Sequence, residues 1–135
     1  MIGLDTNILV RYLAQDDRQQ AEAASRLIEE TLNAEAPGFV SAAALVEVAW
    51  VLEDGYGCSR GEVVSVFERL LHVRQLVVER AEALAQATRA FAAGKADFAD
   101  CVIERIGHVH GCEYTLTFDR LAARDAGMRL LPITS

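Results

Sequence analysis

Long apolar runs are missing from this chain, and no stretch approaches the roughly 20 residues needed to cross a bilayer. The start, Met1-Ile2-Gly3-Leu4-Asp5, also lacks the basic residues and long apolar segment of a secretory signal. A cytoplasmic protein with no membrane partner is expected. Cysteine is sparse: Cys58, Cys101 and Cys112 form no C-x-x-C pair, which argues against a disulfide framework or a thiolate zinc site and suits a reducing compartment. Histidine is equally thin. His108 and His110 are two apart and do not share a helical face, and His72 falls near a helix C-terminus, where it favours the dipole. Basic charge is short too. Thirteen Lys and Arg against twenty Asp and Glu leave a net charge of −7. That argues against broad electrostatic binding of nucleic acid, which needs cations to displace counterions. It does not exclude a nuclease, because bound divalent ions reverse the field at an acidic pocket. Gly-x-Gly-x-x-Gly and P-loop signatures are absent, so no nucleotide cradle is indicated.

What the chain does have is apolar content: 52% of its 135 residues. That is enough for one domain burying roughly 65–70% of its unfolded surface. Short apolar strands alternate with amphipathic helices. The strand candidates are 1–4, 39–40, 75–78, 114–117 and 130–131. The helix candidates are 6–14, 18–32, 42–53, 60–71, 81–93, 98–109 and 120–126. Ser41 and the Ser59-x-x-Glu62 capping box open two of them; Gly55, Gly94 and Gly127 close others. The alternation implies an α/β fold with a parallel sheet covered on both faces. Ligands then bind beyond the carboxyl ends of the strands.

Four carboxylates lie in apolar contexts where burial would cost several kcal/mol unless they are neutralised or bound to a cation. Asp5 closes the run from Met1 to Leu4, and Asp119 follows Thr117-Phe118 at the end of a strand. Glu47 is the one charge between Ala42 and Leu52, in a helix expected to be buried nearly all round. Asp100 lies one turn into a helix that Asp97, three residues earlier on the same face, can cap. Helix capping is an alternative for Asp5 and Asp119, and an exposed position or an arginine partner such as Arg11 for Glu47. Clustered hard oxygen ligands favour Mg²⁺, with Mn²⁺ as a substitute, over zinc. Such ions activate water against a phosphodiester. Ser41, Thr6 and Thr117 have no histidine base in context, so a nucleophilic triad is disfavoured.

Ile2-Gly3-Leu4-Asp5-Thr6-Asn7, Val46-Glu47-Val48, Asp97-Phe98-Ala99-Asp100 and Thr117-Phe118-Asp119, in this order and spacing, resemble the PIN-domain nucleases over essentially the whole chain. The single-domain length is similar to VapC-type toxins of toxin–antitoxin pairs. The resemblance implies one PIN domain over 1–135, a five-stranded parallel sheet flanked by helices, and an Mg²⁺- or Mn²⁺-dependent endoribonuclease. It implies homodimerisation and inhibition by a VapB-type antitoxin. By position, Asp5, Glu47 and Asp100 match the core metal-binding acids, and Asp119 matches a more variable fourth. Asp97 is an additional acid; Thr6, Asn7 and Thr117 match polar supports. Arg11 and Arg120 are candidates for binding RNA.

Two other readings compete. A haloacid-dehalogenase-like phosphotransferase wants a second aspartate two positions after Asp5, where Asn7 stands, and a lysine, of which Lys95 is the single example. An acidic interaction module that keeps a metal pocket without turnover is compatible with the same residues.

Overall fold

The computed structural model describes residues 1–133. The chain divides into two compact units, Met1–Ala81 and Glu82–Ser135.

In the first unit, strands β1 (Ile2–Gly3), β2 (Gly38–Val40) and β3 (Leu76–Val78) form a parallel sheet in that order. Its register sets Phe39 opposite Gly3 and Val77, and Gly38 opposite Ile2 and Leu76. Gly38 occupies the middle strand because a Cβ there would come within 2.8 Å of Leu4 and 2.9 Å of Leu32. Around the sheet run α1 (Thr6–Ala14), α2 (Arg18–Arg26), α3 (Ala42–Trp50) and α4 (Arg60–Leu70). Local chemistry starts each of them. Asp17 accepts from the Gln20 amide, Ser41 from the Ala44 amide, and Ser59 and Glu62 complete the expected capping box. The buried face comprises Leu9, Val10, Ala21, Ala24, Ile28, Leu45, Val48, Leu52, Val63, Phe67 and Leu70, the stripes that helical periodicity selects.

The second and third helices end differently from expectation. Both expected segments, 18–32 and 42–53, finish in a π-helical turn: Leu27–Thr31 and Val51–Gly55 respectively. Wider turns of this kind are rare and occur mostly as single turns within or at the end of α-helices.

In the second unit, α5 (Ala81–Ala93), whose first residue closes the first unit, precedes α6 (Phe98–Val109) and α7 (Arg120–Asp125). Two short parallel strands, β4 (Leu116–Thr117) and β5 (Arg129–Leu130), pair with each other. Phe91 meets Phe98 edge to face, ring centres 5.5 Å apart. Gly127, at φ 78°, turns the chain after α7 so that the Met128 amide reaches the Ala122 carbonyl.

The five-stranded sheet expected from the sequence is therefore corrected: among the described residues the parallel strands number three in one sheet and two in another. Amides of Arg129 and Leu131 bond to the carbonyls of Thr115 and Thr117, which fixes β5 as the partner of β4. Apolar runs of two to four residues identify strands but carry too little pattern to name their neighbours. The sheet is unevenly covered. Val40 and Val78 are buried, whereas Val77 is 42% exposed and Gly3 lies open. No helix among the described residues is long and apolar enough to cross a membrane.

Candidate active site

The carboxyl ends of the first unit's strands carry Asp5, Ser41 and Glu79, the residues that directly follow or closely trail β1, β2 and β3. Asp5 is the N-cap residue of α1, and its Oδ1 accepts from the Thr6 amide at 2.9 Å. Thr6 is buried, and its hydroxyl donates to Glu47 Oε1 across 2.9 Å, tying the start of α1 to the middle of α3. A side chain that sequence offered as a support thus holds one candidate ligand in place. Asn7 is exposed on the first turn of α1.

Glu47 itself corrects an expectation. The helix carrying it is not buried all round: Ala43, Glu47 and Trp50 form an exposed stripe, with Trp50 65% exposed. Spacing of three and four residues puts those positions on one face, and the surrounding apolar residues cover the other. Asp5, Asp97 and Asp119 are also exposed, so desolvation is not the cost these acids carry.

In the second unit, Asp97 stands at the N-cap of α6, but its side chain makes no capping hydrogen bond. Asp100 lies within the first turn, half-buried. Burial raises its pKa above the usual carboxylate range, and the nearby charges of Asp97 and Asp119 push it further in the same direction. Three acids from the start of α6 and the end of β4 thus feel one another. Asp119 accepts from the Ala122 amide at 2.9 Å and caps α7, while Thr117 Oγ1 accepts from the Asp119 amide at 3.0 Å.

Arginines take some of the acids and leave others, the candidates among them. Arg11 pairs with Asp16 at 3.0 Å and also donates to Gln20 and to Tyr56. Glu104 and Asp125 are taken by Arg105 and Arg124, and Glu22 and Glu30 by Arg18 and Arg26. Asp5, Glu47, Asp97, Asp100 and Asp119 enter no ion pair among the described residues. Arg120, exposed beside Asp119, enters none either.

No three His, Cys, Asp or Glu side chains among the described residues are drawn together as a ready-made metal centre. By donor chemistry the five acids nevertheless fit a hard divalent cation. They offer carboxylate oxygens that no arginine neutralises, and in the second unit the charges of Asp97 and Asp119 both oppose ionisation of Asp100. A cation there would remove the repulsion.

Sequence reasoning passed over two acids with structural work. Glu79, one residue past β3, accepts from the Ala42 amide at 2.8 Å and supports the start of α3. Its place at a strand's carboxyl end was the available signal. Asp125, which stands outside the candidate set, accepts from the Lys95 amide at 2.8 Å. Nothing in its local sequence indicates that bond, which spans thirty residues.

Residues 2–127 match the family model of the PIN domain. A VapC ribonuclease of Aquifex aeolicus (strain VF5) is 24% identical over 117 residues, covering 87% of this chain and 86% of the relative. No solved structure matches. With 2–127 of its 135 residues matched to the family model, the chain belongs to the PIN domain family.

Proposed function

We propose that the protein is a divalent-metal-dependent endoribonuclease acting as the toxin of a toxin–antitoxin pair. The observation that carries this reading is the match of residues 2–127 to the PIN domain, together with the cluster in the second unit where the charges of Asp97 and Asp119 bear on half-buried Asp100. The ribonuclease name of the relative supports RNA as substrate, and the VapC name supports a VapB-type antitoxin as partner; a homodimer belongs to the same proposal. The catalytic residues of the proposal are Asp5, Glu47, Asp100 and Asp119, with Asp97 as a further metal-holding acid. Mg²⁺, or Mn²⁺ in its place, would supply Lewis-acid charge and an activated water to the phosphodiester. The chain's own residues position and bind. Thr6 fixes the rotamer of Glu47 through its hydroxyl. Thr117 holds the turn that presents Asp119. Arg120 is free to meet a phosphate, whereas Arg11 must first leave Asp16 and Tyr56.

The test is cleavage of a mixed tRNA and rRNA pool by the purified chain in Mg²⁺, Mn²⁺ or EDTA, with Asp5→Asn and Thr6→Val in parallel. Metal-dependent cuts at few sites are expected, absent in Asp5→Asn. Thr6→Val should be slowed about 10- to 100-fold, the usual effect of removing a group that orients a metal ligand. Equal cleavage by Asp5→Asn and the parent would sink the assignment.

A further inference from the structure

Of the five phenylalanines, Phe67, Phe91 and Phe98 are buried and Phe39 is half-buried, but Phe118 is 67% exposed. Its ring enters no ring–ring or cation–π contact among the described residues. Nor does it hang on a loose loop. The residue before it, Thr117, accepts from the Asp119 amide, and Asp119 accepts from the Ala122 amide, so both neighbours are pinned into the turn that opens α7. The ring is held outward at a defined place. That place adjoins the acids: Asp119 is the next residue, and its charge is felt by Asp100. Arg120, on the far side of Asp119, brings an exposed cation without an ion pair.

We propose that Phe118 is a stacking platform for an unpaired base of the RNA, with Arg120 on an adjoining phosphate. The inference rests on the ribonuclease reading and names a contact by which that site would hold its strand. An aromatic face takes a base only when that base is free of its own stack, and a nearby guanidinium answers the backbone charge. Stacking tolerates any base, so Phe118 positions the strand beside the acids and leaves base identity to other groups. Exposed Leu116 and Leu121 lie close along the chain and would suit a protein partner instead. Arg120 weighs toward RNA, because charged residues are depleted at the core of a protein–protein contact while a guanidinium answers a phosphate.

The experiment uses the full chain carrying Asp100→Asn, so that the probe is not cut, and measures polarisation of a labelled single-stranded RNA. A second probe of equal length carries abasic riboses. Added Phe118→Ala and Phe118→Leu should each weaken binding of the base-bearing RNA about tenfold, and Phe118→Trp should retain it. On the abasic probe the four forms should bind alike. Binding by Phe118→Leu equal to the parent, or an equal loss on the abasic probe, would overturn the stacking role. So would a change in self-association on sedimentation with RNA binding unaltered, which would assign the ring to a protein contact. Cleavage by the chain with Asp100 intact separates the two readings. Ring-dependent binding without any cleavage removes the nuclease and keeps the platform; cleavage that Phe118→Leu leaves untouched does the reverse. If no form binds RNA, both fall.

Discussion

Asp100 shows how a single carboxylate can cost a fold stability. In the folded chain its carboxyl is held protonated to higher pH than usual, first by burial and then by Asp97 and Asp119. An acid whose pKa rises on folding binds protons better in the native state, so stability falls as pH climbs from the unfolded value through the folded one. Above that window the penalty is fully present. Asp100→Asn should therefore raise the Tm of the metal-free protein at pH 7 by a few degrees, and the gain should vanish below the ordinary aspartate pKa near 4. Thermal melts of both forms in EDTA from pH 3.5 to 7.5 measure it. A destabilised variant at pH 7 would show that the carboxylate is structural. The same substitution should abolish cleavage, and this opposition of stability and activity is the mark of a functional rather than structural acid.

At the scale of elements, helices were more legible than strands. Helical starts are written in side chains that bond their own backbone, and Ser41, Ser59 and Glu62 do so as their spacing indicates. The π-helical turns at Leu27–Thr31 and Val51–Gly55 leave no such mark, because the same apolar stripe continues into them. Strand pairing was the least legible, since β1, β4 and β5 are two residues each. The site divides in the same way. Asp5, Asp100 and Asp119 could be placed at element ends from sequence, but the Thr6–Glu47 bond joins residues 41 apart and needs the fold. Burial does not mark the candidate acids, since four of the five are exposed, and the lack of an ion pair does not set them apart either, because Asp17, Asp54 and Glu68 enter none among the described residues. One glycine tests an element joint directly. A Cβ at Gly94 would lie 2.8 Å from the Cβ of Asp125, whose carboxylate bonds the Lys95 amide. Gly94→Ala should cost about 1–3 kcal/mol, the usual penalty of overpacking, read as a lower urea midpoint at unchanged slope. An unchanged midpoint would mean that α5 and α7 adjust freely.

For the molecule as a whole, the net charge of −7 sets the terms on which it meets ions and RNA. Self-repulsion of that size is relieved by any salt through screening, but screening is indifferent to which acid is present. Binding is not. A divalent ion held by the unpaired acids stabilises the native state by RT ln(1 + [L]/Kd), about 2.7 kcal/mol at a hundred times Kd. For a chain of this length that corresponds to a rise in Tm of about 5–10 °C. Mn²⁺ should produce it, and NaCl at matched ionic strength should produce much less. Asp5→Asn and Asp100→Asn should each shrink the Mn²⁺ increment while leaving the NaCl response intact, because each removes a ligand and only one charge of the total. Glu22→Gln, which removes the same charge far from the candidate ligands in sequence, should change neither. Equal shifts with Mn²⁺ and with NaCl would reduce the acids to a diffuse negative surface, and the reading of them as a metal centre would fail at its first physical requirement.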